Sequence, residues 1–135
     1  MKKKYWTLLL LLFQLNAFSQ EKDSVIHYRI LIKFESVCCG VPNDTPLQKL
    51  IHSFKKKNNL SKITAYRIGP LGREGEYSLG FNLTELKATQ RKKITLKIKE
   101  LAPSLNDKGK VTIVENETIV RSSLPSNGTI KKITF

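Results

Sequence analysis

The sequence predicts an α+β protein with one antiparallel sheet and two helices on one face of it. Segments in which apolar and polar residues alternate indicate strands, and two segments with apolar residues every three or four positions indicate helices. They follow one another in the order strand, helix, strand, strand, helix, strand, and the C-terminal tail offers an extra strand. That order is the ferredoxin-like split βαβ arrangement (βαββαβ), a two-layer sandwich with the first and third strands at its centre.

The first predicted strand begins near Val25 and has the clearest alternation in the chain. Because side chains alternate between the two faces of a strand, every second residue is predicted to face the core. These residues are Ile26, Tyr28, Ile30, Ile32 and Phe34. Leu31 is the only apolar residue that interrupts the opposite, polar face, so we predict a half-buried strand.

A helix is predicted to follow the loop at residues 38–44. Thr45 and Gln48 match the capping-box pattern, and Pro46 occupies the first helical position. An apolar stripe at helical spacing comes next, formed by Leu47, Leu50, Ile51 and Phe54. Asn58 and Asn59 are predicted to end this helix.

The remaining elements are predicted from the same two periodicities. Residues 62–68 form the second strand, residues 69–75 a turn, and residues 76–83 the third strand. A second helix begins at Thr84 or Lys87 and ends at Ala102, before Pro103, with a stripe formed by Ile94, Ile98, Leu101 and Ala102. Residues 110–115 form the fourth strand, and the turn at residues 125–128 leads to a fifth at residues 129–135.

The first 19 residues have the pattern of a secretory signal peptide. Three lysines precede a short Leu-rich segment, and Ala17 and Ser19 are the small residues that signal peptidase requires before Gln20. The apolar run is shorter than the roughly 20 residues that a membrane-spanning helix needs. We therefore predict export to the periplasm or the extracellular space, with residues 20–135 as one domain that does not span the membrane.

The chain is strongly basic. Its formal net charge is +13 at pH 7, and loss of the three signal lysines would lower it to +10. Such a protein is attracted to anionic surfaces in a salt-dependent way. The alternative interpretation is that the charge serves only solubility.

Cys38 and Cys39 are the only cysteines and are adjacent. A disulfide between neighbours closes a small strained ring, which would make it labile and suited to a redox switch. A link to a second chain and a soft-metal site are alternatives. The simplest interpretation is structural, with one cysteine in the core and one in the loop, since Cys38 continues the apolar phase of Phe34.

The position of this pair resembles that of the metal-binding cysteines in heavy-metal-associated domains, between the first strand and the first helix. Those domains carry Cys-x-x-Cys at the start of the helix, whereas Cys38 and Cys39 are adjacent and the capping box begins six residues after Cys39. Neighbouring side chains on a strand point in opposite directions, which disfavours chelation of one ion. No cofactor is predicted.

The turn before the third strand is a candidate binding loop. Arg73, Glu74 and Glu76 lie among three glycines, and exposed loop tips often carry binding residues. The segment GREGE followed by an alternating strand resembles a block in small exported bacterial proteins of unknown activity. The alternative is a plain hairpin with solvated charges.

The predicted helices carry most of the lysines. Lys55 and Lys56 lie on the first helix and Lys92 and Lys93 on the second, so in a split βαβ fold they would form one positive surface. The expected partners are an acidic protein or an anionic membrane or glycan surface. Ordinary solvated helix faces are the alternative.

Nucleic acid and catalysis are disfavoured. The alternate residues of the third strand (Glu76, Ser78, Gly80 and Asn82) offer none of the aromatic side chains on which ferredoxin-like RNA-binding domains stack bases. The two histidines, His27 and His52, have no catalytic motif around them, although a pairing of His52 with a cysteine stays open. The sequence therefore predicts a non-catalytic exported binding domain, with a redox or metal-handling protein centred on Cys38 and Cys39 as the alternative.

Overall fold

The computed structural model describes residues 24–135, so the predicted signal peptide lies outside the described residues. No helix in this part of the chain is long and apolar enough to cross a membrane. The elements in chain order are β1 Val25–Ser36, α1 Thr45–Lys57, β2 Thr64–Gly69, β3 Tyr77–Phe81, α2 Ala88–Leu101, β4 Gly109–Val120 and β5 Thr129–Thr134. Short 3₁₀ turns follow α2 at Ala102–Leu105 and β4 at Arg121–Ser123.

The five strands form one antiparallel sheet in the order β4-β1-β3-β2-β5. β1 and β3 are internal strands, whereas β4 and β5 form the two edges. The extra C-terminal strand is thus present, paired with β2. Residues 24–135 thus form an α+β fold with two α-helices and a five-stranded antiparallel sheet, consistent with a two-layer sandwich.

Both helices pack on the same face of the sheet. The predicted stripes point inward: Leu47, Ile51 and Phe54 of α1 are buried, as are Ile94 and Ile98 of α2. They share one apolar core with alternate residues of the internal strands, namely Ile30, Ile32 and Phe34 of β1 and Tyr77, Leu79 and Phe81 of β3. Because this core uses side chains from both layers, it fixes the helices against the sheet.

The opposite face of the sheet is covered, and the prediction that it is an open polar surface was wrong. Tyr28, Leu31 and Ile68 are fully buried there and form a second apolar cluster. The ring of Tyr28 lies against the Cα of Gly80, where a β-carbon would overlap it. The ring of Tyr66 stands 5.8 Å from that of Tyr28, centroid to centroid, so this face does carry aromatic side chains.

The prediction that Ile26 and Tyr28 share a face with Ile30 was also wrong. Both pack in the second cluster, whereas Ile30 packs against the helices. In the β1–β4 ladder, Tyr28 pairs with Glu117 and Ile30 pairs with Glu115, whereas Arg29 and Asn116 between them are not paired. Asn116 has a left-handed φ of 56°. A residue in this conformation interrupts the regular pleat. The alternation of side chains between the two faces therefore shifts at this point.

A connecting segment covers the second apolar cluster. Residues 121–128, here called the strap, join β4 at one edge of the sheet to β5 at the other. Leu124 of the strap packs on the second cluster, so the strap crosses the face opposite the helices. A turn closed by the bond from the Gly128 N–H to the Pro125 carbonyl (2.7 Å) then leads into β5.

Helix α1 begins one residue earlier than the capping-box prediction. Its N-cap is Asp44 rather than Thr45. The side chain of Gln48 donates a hydrogen bond of 2.9 Å to the Asp44 carboxylate instead of closing a box with Thr45. The Asp44 carboxylate makes no hydrogen bond to the helix backbone, and its partners are the side chains of Gln48 and Arg67.

Candidate functional site

The exposed sides of α1 and α2 carry a concentration of positive charge. The two helices carry nine lysine or arginine residues and a single acidic one, Glu100. Two of the nine have partners, because Arg91 donates to the carbonyl of Leu86 (3.0 Å) and Lys99 pairs with Glu115. The side chains of the other seven, here called the basic helical face, form no hydrogen bond or ion pair with a described residue: Lys49, Lys55, Lys56, Lys57, Lys92, Lys93 and Lys97.

This arrangement brings the predicted lysines together. Lys55 and Lys56 lie in the last turn of α1, and Lys92 and Lys93 lie in α2, on the same layer of the molecule. Helices of 13 and 14 residues are each about 20 Å long. The positive charge is therefore spread over an extended surface, which suits a polyanion better than a single small anion.

Cys38 and Cys39 lie in the loop after β1, and both are exposed free thiols. The prediction that one of them packs in the core was wrong, because β1 ends at Ser36 and the chain turns. Cys39 has a left-handed φ of 65°, so the two side chains do not point apart as they would on a strand. The Cys39 thiol donates to the Cys38 sulfur at 3.2 Å.

The environment of Cys38 disfavours its thiolate. The hydrogen bond with Cys39 raises the pKa of the Cys38 thiol, and desolvation and the negative charge of Glu74 raise this pKa further. Activated cysteines lie instead beside positive charge that lowers the pKa. Among the described residues, no group of three or more His, Cys, Asp and Glu side chains is arranged to hold a metal ion.

The two acidic residues of the predicted binding loop face different neighbours. Arg73 and Glu74 are exposed at the tip, and the charge of Glu74 acts on Cys38. Glu76 is half-buried, and its carboxylate accepts the backbone N–H of Glu74 (3.0 Å). Glu74 thus acts on the cysteine pair, whereas the Glu76 carboxylate is engaged within the loop itself.

A polar cluster at the start of α1 was not predicted. The Arg67 guanidinium lies 3.5 Å from the ring centroid of Tyr77 and 3.7 Å from the carboxylate of Asp44. Burial raises the pKa of the Tyr77 phenol, and a hydrogen bond with Asp44 raises this pKa further. The Tyr77 ring stacks on Phe34 with centroids 4.7 Å apart, so this cluster ties the helix start to the sheet.

A cleft beneath the strap is the second feature that the sequence did not predict. It has a volume of about 280 Å³ and lies between the covered face of the sheet and the strap. Its apolar lining includes Leu31, Ile68 and Leu124, and its charged lining consists of Lys33, Glu35, Glu76 and Glu117. No local pattern signals this cleft, because it depends on β4 and β5 occupying opposite edges.

The contacts of the two histidines are a hydrogen bond between strands for His27 and an aromatic contact for His52. A hydrogen bond of 2.7 Å joins the Nδ1 atom of His27 to the hydroxyl of Thr118 across the β1–β4 pair. His52 is exposed and packs edge-on against Phe135, with centroids 5.5 Å apart.

Comparisons of the chain with protein-family models, with curated proteins and with solved structures find no match.

Proposed function

We propose that this chain is an exported, non-catalytic binding domain of ferredoxin-like fold that docks through its basic helical face on an extended anionic surface. The observation that carries the proposal is the group of seven lysines on one layer without acidic partners among the described residues. Close to an anionic membrane each lysine contributes about 1 kcal/mol of binding free energy, so several acting together give firm attachment.

The strand order supports the ferredoxin-like part of the proposal. The run β4-β1-β3-β2 has β1 and β3 inside, and both helices lie on one face. β5 extends this run at the β2 edge. The segment MKKKYWTLLLLLFQLNAFSQ supports the export part, and an N-terminal residue of Gln20 in the protein recovered from the periplasm or medium would test it.

Vesicle sedimentation tests the docking surface. We expect binding to phosphatidylglycerol mixed with phosphatidylcholine but not to phosphatidylcholine alone. Binding should weaken strongly between about 0.1 and 1 M salt, because the Debye length falls from about 10 to about 3 Å. Heparin and polyglutamate in place of the vesicles would identify a glycan-like or an acidic protein partner.

Charge-reversal variants make this test specific to the helices. The Lys92→Glu/Lys93→Glu variant should bind at least about tenfold more weakly, since each reversal replaces an attraction by a repulsion. Lys131→Glu/Lys132→Glu on β5 changes the net charge equally and is the matched control. Equal losses in both variants, or binding that is insensitive to salt, would exclude the basic helical face as the docking site.

A redox switch at Cys38 and Cys39 is the second candidate. The observation that favours it is the approach of two exposed sulfur atoms to 3.2 Å. A disulfide between them would form by loss of two protons and two electrons to a thiol–disulfide oxidant of the oxidising compartment. Thiol counting with mass spectrometry of the native protein tests it: two free, unreactive thiols and no bound metal would reject both the redox and the soft-metal functions.

A further inference from the structure

The cleft beneath the strap has an acidic lining in a basic protein. Three of the nine acidic residues in the described part of the chain line it, namely Glu35, Glu76 and Glu117. Lys33 is the one basic residue of the lining, so its formal charge is −2 at pH 7. The cleft lies across the sheet from the basic helical face. The cleft therefore favours cations, whereas the helical face favours anions.

The three carboxylates differ in whether they accept hydrogen bonds from the protein. Glu35 accepts a hydrogen bond of 3.1 Å from the Thr112 hydroxyl, and Glu76 accepts the Glu74 N–H. Glu117 is half-buried, and its carboxylate accepts no hydrogen bond from a described residue. A carboxylate that is partly removed from water without a partner favours the approach of a cation.

Ser78 supplies an independent polar group in the same cleft. It is only 2 % exposed, and its hydroxyl forms no hydrogen bond with a described residue. Ser78 is paired with Lys33 of β1 and Ile68 of β2. Because directly paired residues share a face, its side chain lies on the cleft side of the sheet. Buried hydroxyls normally have partners, so this one is placed to accept from a ligand.

The apolar part of the lining and the size of the cleft restrict the ligand further. Leu31, Ile68 and Leu124 line it alongside the carboxylates, which suits a ligand with a short hydrocarbon portion. A volume of about 280 Å³ is just below the range of about 300–1,000 Å³ typical of sites for drug-sized molecules. A ligand smaller than a typical drug-sized molecule is therefore the appropriate size.

We infer that the cleft beneath the strap binds a small alkylammonium group, with the carboxylates of Glu35, Glu76 and Glu117 facing the charge and the Ser78 hydroxyl accepting an N–H. The hydrocarbon portion would lie against Leu31 and Leu124. Such a group is found in a free primary amine and in the side chain of a lysine. This site does not depend on the basic helical face and goes beyond the proposed docking function.

Titration of the ¹⁵N-labelled protein with n-pentylamine, followed by amide chemical shifts, tests the inference. We expect saturable shifts at the amides of Leu71, Ser78 and Leu124, and at least about tenfold weaker binding of 1-pentanol and pentanoate, which lack the positive charge. Nα-acetyl-lysine amide distinguishes the two sources: tighter binding than pentylamine identifies a lysine side chain as the ligand, and weaker binding identifies a free amine.

Variants assign the binding to individual residues. Glu117→Gln should weaken pentylamine binding about fivefold, as for loss of a partly exposed charge pair, and leave 1-pentanol unaffected. Ser78→Ala should weaken it about threefold through loss of one hydrogen bond. Glu100→Gln on α2 removes the same charge from the other layer and should have no effect. Equal affinity for amine and alcohol, shifts confined to the helices, or an unchanged affinity in Glu117→Gln would overturn the inference.

Discussion

Gly80 controls the packing of the covered sheet face at the level of a single residue. A methyl group on its Cα would overlap the ring of Tyr28, which is only 1 % exposed. We expect Gly80→Ala to lower the free energy of unfolding by roughly 1–3 kcal/mol, the usual cost of overpacking. Urea unfolding followed by circular dichroism measures this change.

Gly72→Ala is the control for that substitution. Its new methyl group would meet only the flexible end of the Glu76 side chain, which can move aside. We expect a change within about 0.5 kcal/mol, as at ordinary surface positions. Equal losses in both variants would show that Tyr28 does not lie against Gly80.

Ionisation of Tyr28 is expected to make the folded protein less stable as the pH rises above 10. Burial, with a smaller effect of the Tyr66 phenolate, raises the pKa of Tyr28 from 10.0 to about 12. The folded state therefore keeps this proton at a pH where the unfolded chain loses it. The contribution of Tyr28 to stability is complete below pH 10 and is lost as the pH rises toward 12.

Tyr28→Phe should flatten the decline in stability above pH 10. At neutral pH the variant should be unchanged or up to about 1 kcal/mol more stable, because the Tyr28 hydroxyl is buried without a partner among the described residues. Tyr77→Phe is the contrasting variant, since it removes a phenol whose surroundings include Asp44 and Arg67 and should cost about 1 kcal/mol. A large loss at neutral pH in Tyr28→Phe would contradict the assignment of an unpartnered hydroxyl.

At the scale of an element, the start of α1 depends on Asp44. Its carboxylate binds the side chain of Gln48, lies 3.7 Å from Arg67 and raises the pKa of Tyr77. Asp44→Ala should therefore destabilise the fold by about 1 kcal/mol through loss of these side-chain contacts, and it should lower the Tyr77 pKa. Chemical unfolding and a spectrophotometric tyrosine titration measure the two effects.

Thr45→Ala is the matched control one residue along. Thr45 is exposed and is not the N-cap, so we expect a change within about 0.5 kcal/mol. A larger loss in Thr45→Ala than in Asp44→Ala would restore the capping box inferred from the sequence.

The helices were predictable because their information is local. Apolar residues recur at helical spacing in the sequence of both helices. They are Leu47, Ile51 and Phe54 in α1 and Ile94 and Ile98 in α2. For the same reason, the lysines on the outer side of the helices could be placed before the fold was known.

The covered face and its cleft were not predictable, because they depend on distant parts of the chain. Alternation in β1 places Tyr28 and Ile30 on one face, and only the left-handed Asn116 of the paired β4 separates them. The polar composition of the strap suggests an ordinary loop. The strap lies over the sheet because it joins β4 at one edge to β5, which pairs with β2 at the other edge.

At the scale of the whole molecule, the sheet lies between the basic helical face and the acidic lining of the cleft. The basic helical face lies on one side, and the cleft with its three carboxylates lies on the other. An anionic surface should therefore attract the helices and disfavour contact with the acidic lining of the cleft. This orients the bound protein, so that the cleft stays open to solvent.

Paramagnetic relaxation on vesicles tests this orientation. With phosphatidylglycerol vesicles that carry a spin-labelled head group, we expect the amide signals around Lys56 and Lys93 to be attenuated strongly. Those of Leu124 and Ser126 in the strap should change little, because the sheet and the helices lie between them and the lipid. Lys92→Glu/Lys93→Glu should abolish the attenuation, whereas Lys131→Glu/Lys132→Glu should keep it. Stronger attenuation in the strap than in the helices would place the cleft against the membrane. Lipid head-group amines would then be the first ligands to test there.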